Sequence, residues 1–208
     1  MSGLVTVPIA AITSLTAEIA VTVIRGTLRA ECRYSGLSPT VLTVSSRLTI
    51  ADGGIDAEVN TTLGLPVPTD CLFQAGLTGF QIKSGTSFKP WTASAIRAEL
   101  LDSKGKLYSE VQRLVQRGGR YALICTGHDL TPRQRNEAID QIALILTSAG
   151  FPGHDALIDV FGASQLAEYI ERYPGVAALV TTDPIQEALV FDEWVRDDHM
   201  SNSFEMWS

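Results

Sequence analysis

The chain has 208 residues, 45% of them hydrophobic, and a formal charge of −7, so it can bury a real core as one domain or as one domain with an appendage. The charge is uneven. Residues 1–120 hold twelve Lys and Arg against nine Asp and Glu, and residues 121–208 hold four against fourteen, which confines any phosphate-binding surface to the first half. Three widely spaced cysteines, Cys32, Cys71 and Cys125, show no CxxC or Cys/His spacing and argue for reduced thiols in a cytoplasmic setting.

The opening MSGLVTVPIAAITSLTAEIAVTVI is apolar but has no basic leader region, and Pro8, Glu18 and several Thr interrupt it. It reads as a short extended arm before an amphipathic helix, with no transmembrane segment and no membrane partner. From Thr16 to about Ser35 the pattern is helical. Glu18, Thr22, Arg25, Arg29 and Arg33 share one side, and Ala20, Val23, Ile24, Thr27 and Leu28 share the other. Glu31 falls within the apolar side beside Ile24 and Leu28. A carboxylate there needs a partner, which is either a buried Lys or cap, or a metal or catalytic lysine.

Gly36 and Pro39 end that helix. Two β segments follow across VLTVSSRLTIADGGIDAEVNTTLG, joined at Asp52-Gly53-Gly54; residues 64–70 form a loop, and TGFQIKSG is a third strand. Two amphipathic helical pieces then fill 92–116, broken at Ser103-Lys104-Gly105. RYALICTG is an apolar run typical of a strand buried on both faces. A helix capped by Thr131, with Pro132 at its first position and Gly150 past its end, leads to a further strand in ALIDVFG and a last helix in ASQLAEYIERYPG, with Ser164 as a possible cap. The β-α-β-α tail implies parallel strands extending the same sheet. Residues 181–208 lose regular pattern and read as a tail or the start of a linker. Phe204, Met206 and Trp207 near the end suggest either a docked tail or, by preference, a chain cut from a longer protein.

The residues that carry chemistry lie in GGIDAEV and GFQIKSG. Strand alternation places Ile55, Ala57 and Val59 on one side and Asp56 and Glu58 on the other; Phe80 and Ile82 likewise oppose Gln81 and Lys83. If the strands pair, two carboxylates, an amide and an ammonium meet on one face. A solvated face with a surface ion pair is the plain alternative. Hydrolysing a phosphodiester needs groups that hold a divalent cation, polarise water and neutralise charge on the phosphorus centre, and oxygen ligands suit Mg²⁺.

A helix followed by strands bearing DGGID (52–56) and QIK (81–83) resembles the PD-(D/E)xK nuclease superfamily, in particular the Mrr-like restriction endonucleases, over roughly residues 16–130. The resemblance implies a restriction-endonuclease-like αβββαβ core with a mixed central sheet within residues 1–180, extended by the β-α-β-α segment. It further implies a Mg²⁺-dependent (or Mn²⁺-dependent) endonuclease acting on double-stranded DNA. Asp56 would be the principal metal ligand, Lys83 the catalytic lysine, Gln81 the second metal-side position, the Ile82 carbonyl a main-chain ligand, and Glu31 the acidic residue of the first helix. Glu58 would be an outer or solvated carboxylate, and Asp52 part of the glycine turn. Gln81 departs from the acidic form of the motif and leaves one fewer negative charge on the metal.

Members of this group also occur as N-terminal effector domains of bacterial antiphage proteins joined to STAND-type NTPase or sensor regions, which implies oligomerisation or fusion. Ser84, Lys89 and Trp91, just after the lysine strand, are candidates for DNA contact. A catalytically silent nuclease-like module that binds DNA or protein is the rival reading. A small-ligand module near His128 is a third, because that residue follows a buried strand. No GxGxxG, Walker loop or GxSxG elbow is present.

Overall fold

The computed structural model describes residues 6–44, 54–61, 67, 68 and 70–181. It is an α/β fold built on a five-stranded mixed sheet. The elements are α1 (Ile9–Thr13), α2 (Ala17–Tyr34), a 3-10 turn (Pro39–Val41), β1 (Leu42–Val44), β2 (Ala57–Asn60), β3 (Leu77–Lys83), α3 (Ala93–Leu100), α4 (Ser109–Gln116), β4 (Arg120–Cys125), α5 (Pro132–Ser148), a second 3-10 turn (His154–Leu157), β5 (Ile158–Phe161), α6 (Ala163–Glu171) and α7 (Pro174–Thr181).

The strands lie in sequence order across the sheet. β1, β2 and β3 form an antiparallel meander, while β3, β4 and β5 run parallel. Parallel neighbours need crossovers, and α3 with α4, then α5, supply them. Two cores result. One side of the sheet packs Ala57, Val59, Phe80 and Ile124 against Ile24 and Leu28 of α2 and Leu166 and Ile170 of α6. The other packs Tyr121, Leu123 and Cys125 against Leu114 of α4 and Ile142 and Leu146 of α5. β4 therefore buries both faces, as its continuous apolar sequence implies.

Local chemistry explains the element ends. The Thr16 hydroxyl accepts from the Ile19 amide at the start of α2, and Gly36, at φ +68°, turns the chain so that the Leu37 amide reaches the Cys32 carbonyl at 2.8 Å. Thr131 and Gln134 form a reciprocal capping box on α5. Gly79 lets α4 lie against β3, because a Cβ there would sit 2.8 Å from a Leu114 methyl.

Three expectations change. The opening arm is not wholly extended: Ile9–Thr13 form a short helix, anchored by Ile12, which has no exposed surface. Ser164 does not cap α6. The helix begins at Ala163, and the Gly162 amide donates to Gln165 Oε1 at 2.9 Å; Gly162 sits so close to Leu130 that a Cβ would meet its amide nitrogen at 2.8 Å. The alternation expected from Ile55 onward begins only at Ala57, since Ile55 joins the core opposite to that of Ala57 and Val59. Asp52, most of the expected turn at 52–54 and the tail from 182 lie outside the described residues. Among the described residues no helix is long and apolar enough to cross a membrane.

Candidate functional site at the β2–β3 end

Asp56 sits where the β2–β3 ladder ends. Its amide donates to the Phe80 carbonyl at 2.7 Å, and its Oδ2 accepts from the Ile82 amide at 2.6 Å. The carboxylate thus takes the place of a main-chain acceptor and extends the ladder along the sheet. This is also why alternation fails at Ile55. The same pairing fixes the direction of Ile82. Its amide faces Asp56, whereas the next carbonyl, Lys83, accepts from Thr126 on the β4 side at 2.8 Å. In a strand the N–H and C=O of one residue point the same way, so the Ile82 carbonyl opens beside Asp56.

Gln81 and Lys83 project from the α3/α4 side of β3. There they meet Glu99 of α3, which both motif and spacing overlooked. Lys83 Nζ lies 2.5 Å from Glu99 Oε2, and Gln81 Nε2 donates to the same oxygen at 2.7 Å. A carboxylate can only accept, so Gln81 must turn its amide nitrogen to Glu99 and its Oε1 elsewhere. That oxygen accepts from the Tyr121 hydroxyl. Tyr121 is buried, and burial, with the nearby Glu99 and Asp56 charges, pushes its phenol well above the ordinary value, so it remains a donor at neutral pH. Tyr121, Gln81, Glu99 and Lys83 form one hydrogen-bonded chain. Gln81 is its central arm, with its oxygen engaged by Tyr121 and its nitrogen by Glu99.

The remaining candidates separate into those near this group and those distant from it. Glu58 pairs with Arg113 of α4, whose Nε also bonds Glu110 at 2.8 Å. These three line a cleft of about 180 Å³ with Asp56 and Thr43. Glu31 is not brought to the site. Its side chain is fully buried in the other core, where both oxygens accept from the Leu72 amide at 3.1 and 3.0 Å. Burial raises its pKa to about 8 against a smaller lowering by the Leu72 hydrogen bond and Arg172. The helical wheel places Glu31 toward a core, and the sheet topology decides which one.

Ser84 is half-buried and Lys89 exposed beyond the lysine strand. Trp91 packs edge-on against the His128 ring at 5.0 Å, with its indole resting on the α5 core. His128 Nε2 is buried without a hydrogen-bond partner among the described residues.

Among the described residues no three His, Cys, Asp or Glu side chains gather as metal ligands. A hard cation that keeps most of its water needs fewer, since Mg²⁺ takes one or two carboxylates from a protein. Asp56 and the Ile82 carbonyl are the groups that could meet that smaller requirement, while the Gln81 oxygen already accepts from Tyr121. Glu99 is visible in the sequence only as a carboxylate flanking the apolar pair Ile96 and Leu100, the signal that singles out Glu31. Tyr121 is hidden within an apolar run. Comparison with known proteins yields no matching family model, curated protein or solved structure.

Proposed function

We propose that the chain is a metal-dependent nuclease domain that hydrolyses the phosphodiester backbone of DNA. The observation that carries this reading is the junction of β2 and β3, where Asp56 is fastened to the Ile82 amide and Lys83 follows in the same strand. The order α2-β1-β2-β3-α3-α4-β4 and the mixed sheet support it, being close to the αβββαβ core that the resemblance to the PD-(D/E)xK nucleases implies but with two helices before the last of those strands. A restriction or antiphage role follows from the resemblance alone.

Asp56 and the Ile82 carbonyl would hold a Mg²⁺ or Mn²⁺ ion, with water filling the remaining positions. Such an ion, when bound, polarises a phosphoryl oxygen and makes its water more acidic. Lys83 places a compact positive charge where negative charge develops on the phosphate oxygens. Glu99 aims the Lys83 ammonium, while Gln81 and Tyr121 fix Glu99 in turn. Glu31 takes no part, since its carboxylate belongs to the opposite core. Labelled duplex DNA incubated with Mg²⁺ is expected to yield fragments with 5′-phosphate ends. Products that form equally well in EDTA would overturn the reading.

A second reading, a nuclease-like module without catalysis that binds DNA or protein, draws on one specific observation: Lys83 is already committed to Glu99. Salt-sensitive DNA binding with no cleavage under Mg²⁺ or Mn²⁺ would favour it.

A further inference from the structure

We infer that the outer face of α2 is a second nucleic-acid contact surface, one that follows a sugar-phosphate backbone independently of Asp56 and Lys83. Arg25, Arg29 and Arg33 recur every four residues on this 18-residue helix. At 1.5 Å rise per residue they form a line about 12 Å long, with steps of about 6 Å. Arg29 and Arg33 are exposed and Arg25 is half-buried, on the side of the helix away from Ile24, Leu28 and Glu31.

Among the described residues Arg113, Arg120, Arg133 and Arg172 each pair with a carboxylate, while Arg25, Arg29 and Arg33, like Arg97, Arg117 and Arg135, make no ion pair; of these six, Arg25, Arg29 and Arg33 recur along one face of one helix. Glu18, near the start of the helix, is the other charged residue on their face. Glu31 points inward and, with burial lifting its pKa to about 8, contributes little negative charge at neutral pH. Like charges four residues apart destabilise a helix by a few tenths of a kcal/mol. Arg25 Nε is in addition buried with no hydrogen-bond partner among the described residues, a donor that lacks an acceptor. A line of phosphates would offset the like-charge repulsion and pair the guanidinium groups that the helix leaves without carboxylates.

Other anions fit less well. A single small anion cannot span three guanidinium groups across that distance. A membrane surface requires apolar side chains beside the basic ones, and the apolar face of α2 is spent on the core. Among the described residues the exposed large apolar side chains are Ile9, Tyr34 and Leu144, none of them on the arginine face. The net charge of −7 opposes long-range attraction, so contact is confined to low salt.

The test is fluorescence anisotropy of labelled duplex and single-stranded oligonucleotides with the full chain in EDTA, where cleavage plays no part. The variants are R25A/R29A/R33A and R25K/R29K/R33K, with circular dichroism to confirm that the helix persists. Alanine has the highest helix propensity, and Arg29 and Arg33 are exposed while Arg25 is half-buried, so the helix is expected to persist. Neutralising three phosphates of a duplex gives a salt slope of about −2.7, which the alanine variant is expected to lose together with roughly tenfold in affinity at low salt. The lysine variant is expected to keep most of both. Unchanged binding in the alanine variant, no binding by the parent chain at low salt, or equally tight arginine-dependent binding to vesicles of anionic lipid would each overturn the proposal. Because EDTA removes cleavage from the assay, none of these outcomes depends on the nuclease reading.

Discussion

Replacing Glu31 with Gln is expected to stabilise the protein at neutral pH and to leave it nearly unchanged near pH 4.5. Glu31 has no exposed surface, and burial raises its pKa from 4.5 to about 8. The folded state therefore holds this proton more tightly than the unfolded chain does. Stability from Glu31 is fully present below pH 4.5, falls as pH rises through the interval to about 8, and is lost above it. At 1.36 kcal/mol for each pH unit, the loss accumulated by pH 7 is about 3 kcal/mol. Glutamine has the same shape, keeps an oxygen for the Leu72 amide and cannot ionise.

The assay is urea unfolding of both proteins between pH 4.5 and 8.5. In the difference between them, contributions from the other titrating groups cancel. The expected result is two curves that nearly coincide at the acid end and diverge steadily to about 3 kcal/mol in favour of Glu31→Gln at pH 7, equivalent to a rise of roughly 10 °C in Tm. Curves that stay parallel across the range would refute the reasoning, because Glu31 would then ionise as easily folded as unfolded.

Other perturbations have equally definite outcomes. Tyr121→Phe removes the donor to the Gln81 oxygen and leaves a buried acceptor unsatisfied, so urea titration is expected to show a loss of about 1–3 kcal/mol. Gly127→Ala would place a Cβ 2.1 Å from the Gly85 carbonyl oxygen, which forces the two turns after β3 and β4 apart; a loss of about 2–4 kcal/mol is expected in thermal unfolding. Thr131→Ala removes the α5 cap for about 1 kcal/mol, measured in the same way.

Much of the scaffold was legible because it is governed by local rules. Thr16, Thr131, Pro132 and Gly36 mark helix ends through hydrogen bonds made within a turn of themselves. The apolar run from Tyr121 to Cys125 announces a strand covered on both sides. Alternation correctly separates Gln81 and Lys83 from Phe80 and Ile82. What escaped depends on groups distant in sequence. Glu31 is correctly read as inward-facing, but no local pattern states which side of the sheet its helix covers. Glu99 reaches Lys83 only because α3 folds back over β3. The bend at Asp56, where a side chain substitutes for a main-chain acceptor, breaks the alternation that the strand pattern assumes. The short helix at Ile9–Thr13 forms where Ile12 finds a core to enter, a tertiary effect in a segment too short to be helical by itself.

The most direct test of the central claim is plasmid cleavage with Mg²⁺ by the parent chain beside Asp56→Asn and Lys83→Ala, each confirmed as folded. The expected result is nicked and linear product from the parent chain, abolished by EDTA, with at least about a hundredfold loss in both variants. An inactive parent chain, or variants that cut at the parent rate, would contradict the nuclease assignment.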